Sequence, residues 1–271
     1  MGYLDSIDDP ELYNKITTYI HTSDKTSKQS EVDRFKNING ELLKCMNIDG
    51  ENEIHDIAVA SGQTSYELYN FLRQKNIKFN LYISDKFTKY IITGKNIVRI
   101  YDANGDFVCG YLFCVLVDNN YYINKLFVIT RLFGVLLSIS KFATNKYRQV
   151  SLYNKFIINL IDNNQIQDVS YDIFETRIYN RFTFVRCMNI LNLVYFCEEK
   201  LYKGLENVVL SLKENGILQI GRTVSSRNNV SFYRLQHGEL IHLYDINDGT
   251  EIKEIIIKYN NKQCTDSITR W

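Results

Sequence analysis

Between residues 54 and 62 the chain reads IHDIAVASG, and the chemistry this stretch could support is recognition of a ligand by backbone. A bend built from Ala58, Val59, Ala60, Ser61 and Gly62 carries little side-chain bulk, so a ligand can come close to its peptide groups. Asp85 closes the run FNLYISD. A carboxylate there can accept both hydrogens of a ribose diol, or it can cap the next helix. Asp56 lies inside an apolar run, where an unpaired carboxylate is costly. It therefore needs a donor, either the backbone amides of the bend or a ligand ammonium reached through water. Arg222 ends another apolar run and would need an anion, either a substrate group or a carboxylate of the chain.

Other chemistries find less support. The six cysteines include no CxxC pair, and no Cys/His spacing suits zinc. Several of them sit in apolar runs, which predicts reduced, buried thiols in a reducing compartment, taken here as the cytoplasm. His21, His55, His237 and His242 are scattered, no nucleophile elbow is present, and no metal site is expected. A GxGxxG motif is missing from the whole chain, which argues against a nicotinamide oxidoreductase.

The elements that must position these residues follow from periodicity. Residues 54–60 form a short apolar run that predicts a buried parallel strand. SYELYNFLRQKN places Leu68, Phe71 and Leu72 on one helix face, and 79–85 alternates as a second strand. Strand, small-residue turn, helix and strand make a βαβ unit. Further strands are expected over 166–174 and 182–188. A helix is expected over 198–213, stopped by Asn215-Gly216, followed by a central strand over 217–222. An antiparallel hairpin turning at His237-Gly238 comes next, then one more element over 251–259 of undecided type. Residues 1–50 read as a helical lead-in, with one helix starting at Pro10 and another over 30–46.

Residues 86–165 interrupt this alternation. They hold a hairpin turning at Asp102–Gly105 and the most hydrophobic stretch of the chain, 124–142. Arg131 breaks that stretch, which is short for a membrane span of about 20 residues. It reads as a buried helix or substrate lid, with an interfacial membrane helix as the other reading.

Taken together, the motifs resemble the class I S-adenosylmethionine-dependent methyltransferases. IHDIAVASG is similar to that family's first motif, with Asp56 at the acid and Ala58, Ala60 and Gly62 at the three glycine places. YISD resembles the second motif and VSYDIF the third. RFTFVRCMNILNLVYFCEEKL resembles the fourth strand with its loop, and LKENGILQIGRT the approach to the fifth. The resemblance covers residues 50–90 and 165–245. It implies an α/β, Rossmann-like fold, with a seven-stranded, mostly parallel sheet ending in an antiparallel hairpin and helices on both faces. The domain would span 51–271 and carry 86–165 as an inserted hairpin and helix subdomain.

It further implies S-adenosyl-L-methionine as cofactor, held by Asp56, Ala58, Ala60, Ser61 and Gly62, by Asp85 at the ribose, by Asp172 and Ile173 near the adenine, and by Cys187 and Asn189. Asn192, Tyr195 and Arg222 would face the methyl acceptor. Three departures stand out: Ala58 and Ala60 add methyl groups at glycine places, Thr183 stands where an acid is common, and Asn215 replaces a proline. The alanines also leave room for a catalytically inactive binding or scaffolding relative.

Composition agrees with a globular domain: 271 residues, 45% hydrophobic and 23% charged. A net charge of +1 supplies none of the basic excess typical of nucleic-acid binders. A small molecule or a protein is the expected acceptor. The start, MGYLDSIDDPELYNK, lacks the basic and apolar regions of a signal peptide, and Gly2 with Ser6 only superficially fits an acylation pattern.

Overall fold

A computed structural model describes residues 31–46, 50–93, 97–102, 105–112, 115–118 and 147–268. In chain order the elements begin with α1 (Lys36–Leu42), β1 (Asn52–Ile57), α2 (Gln63–Gln74) and β2 (Phe79–Ser84). Then come β3 (Lys89–Thr93), β4 (Ile97–Tyr101), β5 (Phe107–Leu112), β6 (Val115–Asp118) and β7 (Tyr147–Ser151). The chain continues with α3 (Lys155–Asp162), β8 (Gln167–Asp168), β9 (Phe182–Met188), α4 (Glu198–Ser211), β10 (Leu212–Val224), β11 (Arg227–Gln236), β12 (Glu239–Ile246) and α5 (Lys253–Ile268). Two compact units result. One comprises Asp33–Val59, Thr64–Lys86 and Asn159–Trp271, and the other includes Ala60–Gln63 and Phe87–Ile158.

The first unit is a Rossmann-like α/β layer built on a seven-stranded sheet of order β12-β11-β10-β9-β1-β2-β8. The pairs β1–β2, β1–β9, β2–β8 and β9–β10 are parallel, while β10–β11 and β11–β12 are antiparallel. Helices lie on both faces, as the resemblance implies. Adjacent strand residues point to opposite faces, and β1 shows both. Ile57 belongs to a core with Val185, Cys187, Leu218 and Ile220 of the sheet, Leu201, Leu205 and Val208 of α4, Ile255 and Ile256 of α5, and Ile252 just before α5. Asp56 points the other way and meets Ser65 of α2.

The second unit carries a five-stranded antiparallel sheet of order β6-β5-β4-β3-β7. Its β4–β5 hairpin turns where the sequence places it. Gly105, at φ +82, donates its N–H to the Asp102 carbonyl at 3.0 Å, and the Asp102 carboxylate accepts from the Asp106 N–H at 3.0 Å. The hydrophobic stretch 124–142 and the helix expected from Pro10 lie outside the described residues. Among the described residues, no helix is long and apolar enough to cross a membrane.

Several elements differ from the sequence expectation, among them the helix expected over 30–46, which covers Lys36–Leu42. β1 ends at Ile57 and not at Ala60, because Ala58 and Ala60 take left-handed φ values of 61° and 53° that no strand accommodates. The strand expected over 166–174 shrinks to Gln167–Asp168, since the Asp172 carboxylate accepts from the Phe174 N–H at 2.9 Å and turns the chain. Asn215-Gly216 does not stop a helix. α4 ends at Ser211, and the pair sits in a bulge where the β9–β10 register shifts between Leu212 and Ile217. A hairpin not anticipated joins β10 to β11 through Ser225-Ser226, both left-handed at φ 48° and 65°. That conformation is the two-residue turn most compatible with strand twist.

The sheet also buries an imidazole. His55 is fully enclosed, with Nε2 2.8 Å from Ser84 Oγ and its ring 4.6 Å from Phe182 and 5.0 Å from Tyr171. Burial, and then the positive charge of Arg181, hold its pKa down at about 3, from an ordinary 6.5. Between those values the unfolded chain binds a proton that the folded protein refuses. Stability present above pH 6.5 should therefore fall as pH drops, by about 1.4 kcal/mol per pH unit until pH approaches 3. Urea unfolding across this range should show that slope, and His55→Leu should flatten it whatever the variant's offset at neutral pH.

Candidate functional site

The parallel register puts the suspected residues at one edge. Ile57 pairs with both Ser84 and Cys187, and Cys187 pairs with Ile220. The strands β1, β2, β9 and β10 thus reach a common level, and the residues after it leave from the carboxyl edge, where open α/β sheets bind ligands. Ala58 follows Ile57 and Asp85 follows Ser84. The N–H groups of Ala58 and Val59 both donate to the Ser84 carbonyl, at 2.8 and 3.2 Å. The start of the bend after the first strand therefore lies against Ser84, the residue before Asp85.

The bend has a distinctive backbone. Positive φ recurs at every second residue: 61° at Ala58, 53° at Ala60 and 79° at Gly62. These are the three glycine places of the motif that IHDIAVASG resembles. Glycine takes this conformation freely, whereas an alanine pays about 1–2 kcal/mol for it. The alanines thus keep the glycine backbone at a cost, and strain of this kind gathers at functional sites. Ala58 is half-buried, and Ala60, Ser61 and Gly62 are buried. The Ser61 carbonyl accepts from the Asn154 N–H at 2.9 Å, and a Cβ added at Gly62 would lie 2.5 Å from Ile157 Cγ1. The smallness of Gly62 is used by packing inside its own unit.

Asp56 finds its donor within the chain. Arg186 Nε donates to Asp56 Oδ1 at 2.8 Å, Arg186 Nη2 donates to Oδ2, and Ser65 Oγ donates to Oδ2 at 2.6 Å. Arg186 Nη2 also reaches the Thr64 carbonyl at 3.0 Å, and the guanidinium lies 5.4 Å from the Phe35 ring centroid. Arg186 is fully buried. Sequence reasoning demanded a donor for Asp56 but passed over Arg186. The signal was present: in FTFVRCM, Arg186 alternates in phase with Phe184 and so points into a core that a lone charge cannot occupy.

The other suspected residues occupy the same edge in varied states. Asp172 turns beside β2, its Oδ2 3.4 Å from Lys86 Nζ, and Ile173 is buried with its carbonyl accepting from Asn207 Nδ2 at 2.9 Å. Cys187 is fully buried, and burial pushes its thiol well above the usual range, so it is no nucleophile. Asn189, at φ 63°, splices β9 to β10. Its N–H donates to the Gly221 carbonyl at 2.8 Å, and its Oδ1 accepts from the Thr223 N–H at 2.8 Å.

Asn192 holds the loop that follows. Its Nδ2 donates to the Asn189 carbonyl at 2.9 Å, and its Oδ1 accepts from the N–H groups of Val194 and Tyr195, both at 3.1 Å. This loop presents Leu193, Val194 and Tyr195 to solvent. Arg222 finds its anion in Glu251, at 3.1 Å, and Glu251 also accepts from the Leu193 N–H at 2.8 Å.

One further cluster has suggestive residue types. Ser231 Oγ donates to Asp245 Oδ1 at 2.5 Å, and His242 Nε2 lies 2.9 Å from the same oxygen. Partial burial raises the Asp245 pKa, but the bonds from Lys253, Ser231 and His242 outweigh it and bring the value to about 2. The hydroxyl engages the carboxylate and not the imidazole, so nothing takes its proton and no activated nucleophile results. Among the described residues, no group of three or more potential metal ligands converges.

Comparison with known proteins adds distant likenesses. Neither a protein-family model nor a curated protein sequence matches the chain. Among solved structures, a candidate S-adenosyl-L-methionine-dependent methyltransferase from Methanococcus maripaludis is 15% identical at a TM-score of 0.34, covering 70% of this chain and 55% of its own. A protein from Pyrococcus horikoshii is 12% identical at 0.41, covering 94% and 89%. A phosphoethanolamine N-methyltransferase from Haemonchus contortus, solved with phosphoethanolamine and S-adenosylhomocysteine, is 9% identical at 0.35, covering 79% and 31%. This chain thus spans only about half of the first structure and a third of the last. At such scores the likenesses carry no weight alone, and the functional reading rests on the edge of the sheet.

Proposed function

We propose that the protein is an S-adenosyl-L-methionine-dependent methyltransferase acting on a small-molecule or protein acceptor. The observation that supports this most is the start of the bend, with Ala58 left-handed and bonded to Ser84, the residue before Asp85, at the carboxyl edge of a parallel sheet. Asp85 would accept from both ribose hydroxyls. The backbone at Ala58 and Ala60 would line the path of the amino-acid portion. The Asp172–Ile173 turn, packed beside β2, would border the adenine. Asp56 takes part indirectly, since Arg186 and Ser65 occupy its carboxylate. Asn189 and Asn192 shape the loop after β9 from within, and Tyr195 and Arg222, the latter held by Glu251, would border the acceptor.

The cofactor supplies a sulfonium whose methyl group is already activated for in-line displacement. What remains for the chain is to align donor and acceptor and to keep water away. A base is required only for an acceptor that must lose a proton. The free thiols of Cys45, Cys187 and Cys197 suit a reducing, cytoplasmic setting.

Isothermal calorimetry with S-adenosylhomocysteine tests the reading. The wild type should bind at micromolar to sub-millimolar Kd, and Asp85→Ala should weaken binding at least tenfold, on the order of 1.4 kcal/mol or more. The alanine methyls at 58 and 60 favour a second reading, a scaffold that keeps the fold without the cofactor. Absence of binding at millimolar ligand would select it.

A further inference from the structure

Arg186 and Ser65 do more than neutralise Asp56. Asp56 lies two residues before the left-handed bend, while Thr64 and Ser65 lie just beyond it, in the first turn of α2. Ser65 Oγ donates across a separation of nine residues to Asp56 at 2.6 Å. Arg186 reaches both sides at once, through Nε to Asp56 at 2.8 Å and through Nη2 to the Thr64 carbonyl at 3.0 Å. The two ends of the bend are stapled together by a side chain from β9, and every member of the staple is buried. A bend with glycine at all three places would take its φ values without the steric penalty of a Cβ. This one carries alanine at two of them, φ 61° and 53°, and its relaxation toward negative φ must be opposed by something outside it.

We infer that Arg186 is a positioning residue whose staple between Asp56 and Thr64 holds Ala58 and Ala60 in the glycine conformation that cofactor binding uses. The cofactor part of this inference rests on the function proposed above. The staple part does not. It makes a specific claim, that the need for Arg186 comes from the alanines. Glycine at 58 and 60 should therefore make the staple dispensable for the shape of the bend, even where it still matters for overall stability.

The test uses the full chain with the staple replaced by apolar groups, Asp56→Leu with Arg186→Met, so that no unpaired charge is left buried. The same pair is made again in a background of Ala58→Gly and Ala60→Gly. Hydrogen–deuterium exchange of peptides spanning 57–66 reports the bend, and calorimetry with S-adenosylhomocysteine reports the site. Loss of the staple should speed exchange over 57–66 at least tenfold and weaken binding at least tenfold, and the two glycines should restore both to within about threefold of the wild type. A purely structural role for Arg186 would leave the glycines without effect.

Exchange that is unchanged by removing the staple, or that stays fast after the glycines are introduced, overturns the inference. A wild type that fails to bind S-adenosylhomocysteine overturns the cofactor reading, and the exchange measurements still decide the role of the staple.

Discussion

Replacing Arg186 alone by methionine should cost about 3–5 kcal/mol of folding stability, because it leaves the Asp56 carboxylate buried without its partner. Ser65 Oγ and whatever water can enter would then be all that solvates the charge, and Asp56 is only 3% exposed. Replacing both members, Asp56→Leu with Arg186→Met, should cost far less than the sum of the single changes, and the result can even be neutral. Desolvating two ions offsets most of what their attraction gains, and apolar side chains of similar volume avoid that cost. The incomplete use of the guanidinium favours this outcome, since Nη1 is buried without a hydrogen-bond partner among the described residues. Urea denaturation of the wild type, both single variants and the double variant would measure the coupling. A double variant as unstable as Arg186→Met would show that the pair contributes far more than its charges.

The same pair marks where sequence reading stops. Asp56 could be recognised as a buried carboxylate needing a donor, because Ile54 and Ala58, in phase with it along IHDIAVA, are both apolar. Its partner could not be named, because pairing β1 with β9 brings together residues 130 positions apart. Periodicity within a segment says which way a side chain points but not which strand lies alongside. Several elements with a strong local signal match the expectation. The β1–bend–α2–β2 unit, the strand Phe182–Met188 and the turns at Gly105 and His237-Gly238 each carry their own periodicity or turn residues.

Where structure depends on partners elsewhere, it departs from the expectation. β10 runs on through Val224 because β11 is there to pair with it, and the Ser225-Ser226 turn lacks the Asn-Gly signature that announces such hairpins. The resemblance assigns Asn192 and Arg222 to the acceptor, and in the structure the loop after β9 and Glu251 engage their polar groups. Spacing alone cannot distinguish a polar residue that braces a site from one that reaches into it.

Gly62 offers the second large effect and separates two costs that are usually confounded. Gly62→Ala should destabilise by about 2–4 kcal/mol, the sum of left-handed strain and overpacking. The strain comes from φ +79, and the overpacking from a Cβ placed 2.5 Å from Ile157 Cγ1. Gly238 provides the control. Its φ is +85, but a Cβ there meets nothing within 4 Å, so Gly238→Ala should carry the strain alone, about 1–2 kcal/mol. The difference between the two in thermal or urea unfolding isolates the packing component. Combining Gly62→Ala with Ile157→Ala should then cost about 1–2 kcal/mol less than the two single changes added, because the contact that crowds the first is removed by the second. Strict additivity would mean that Ile157 moves aside freely. In that case the absence of a side chain at position 62 would serve the conformation of the bend and not the packing around it.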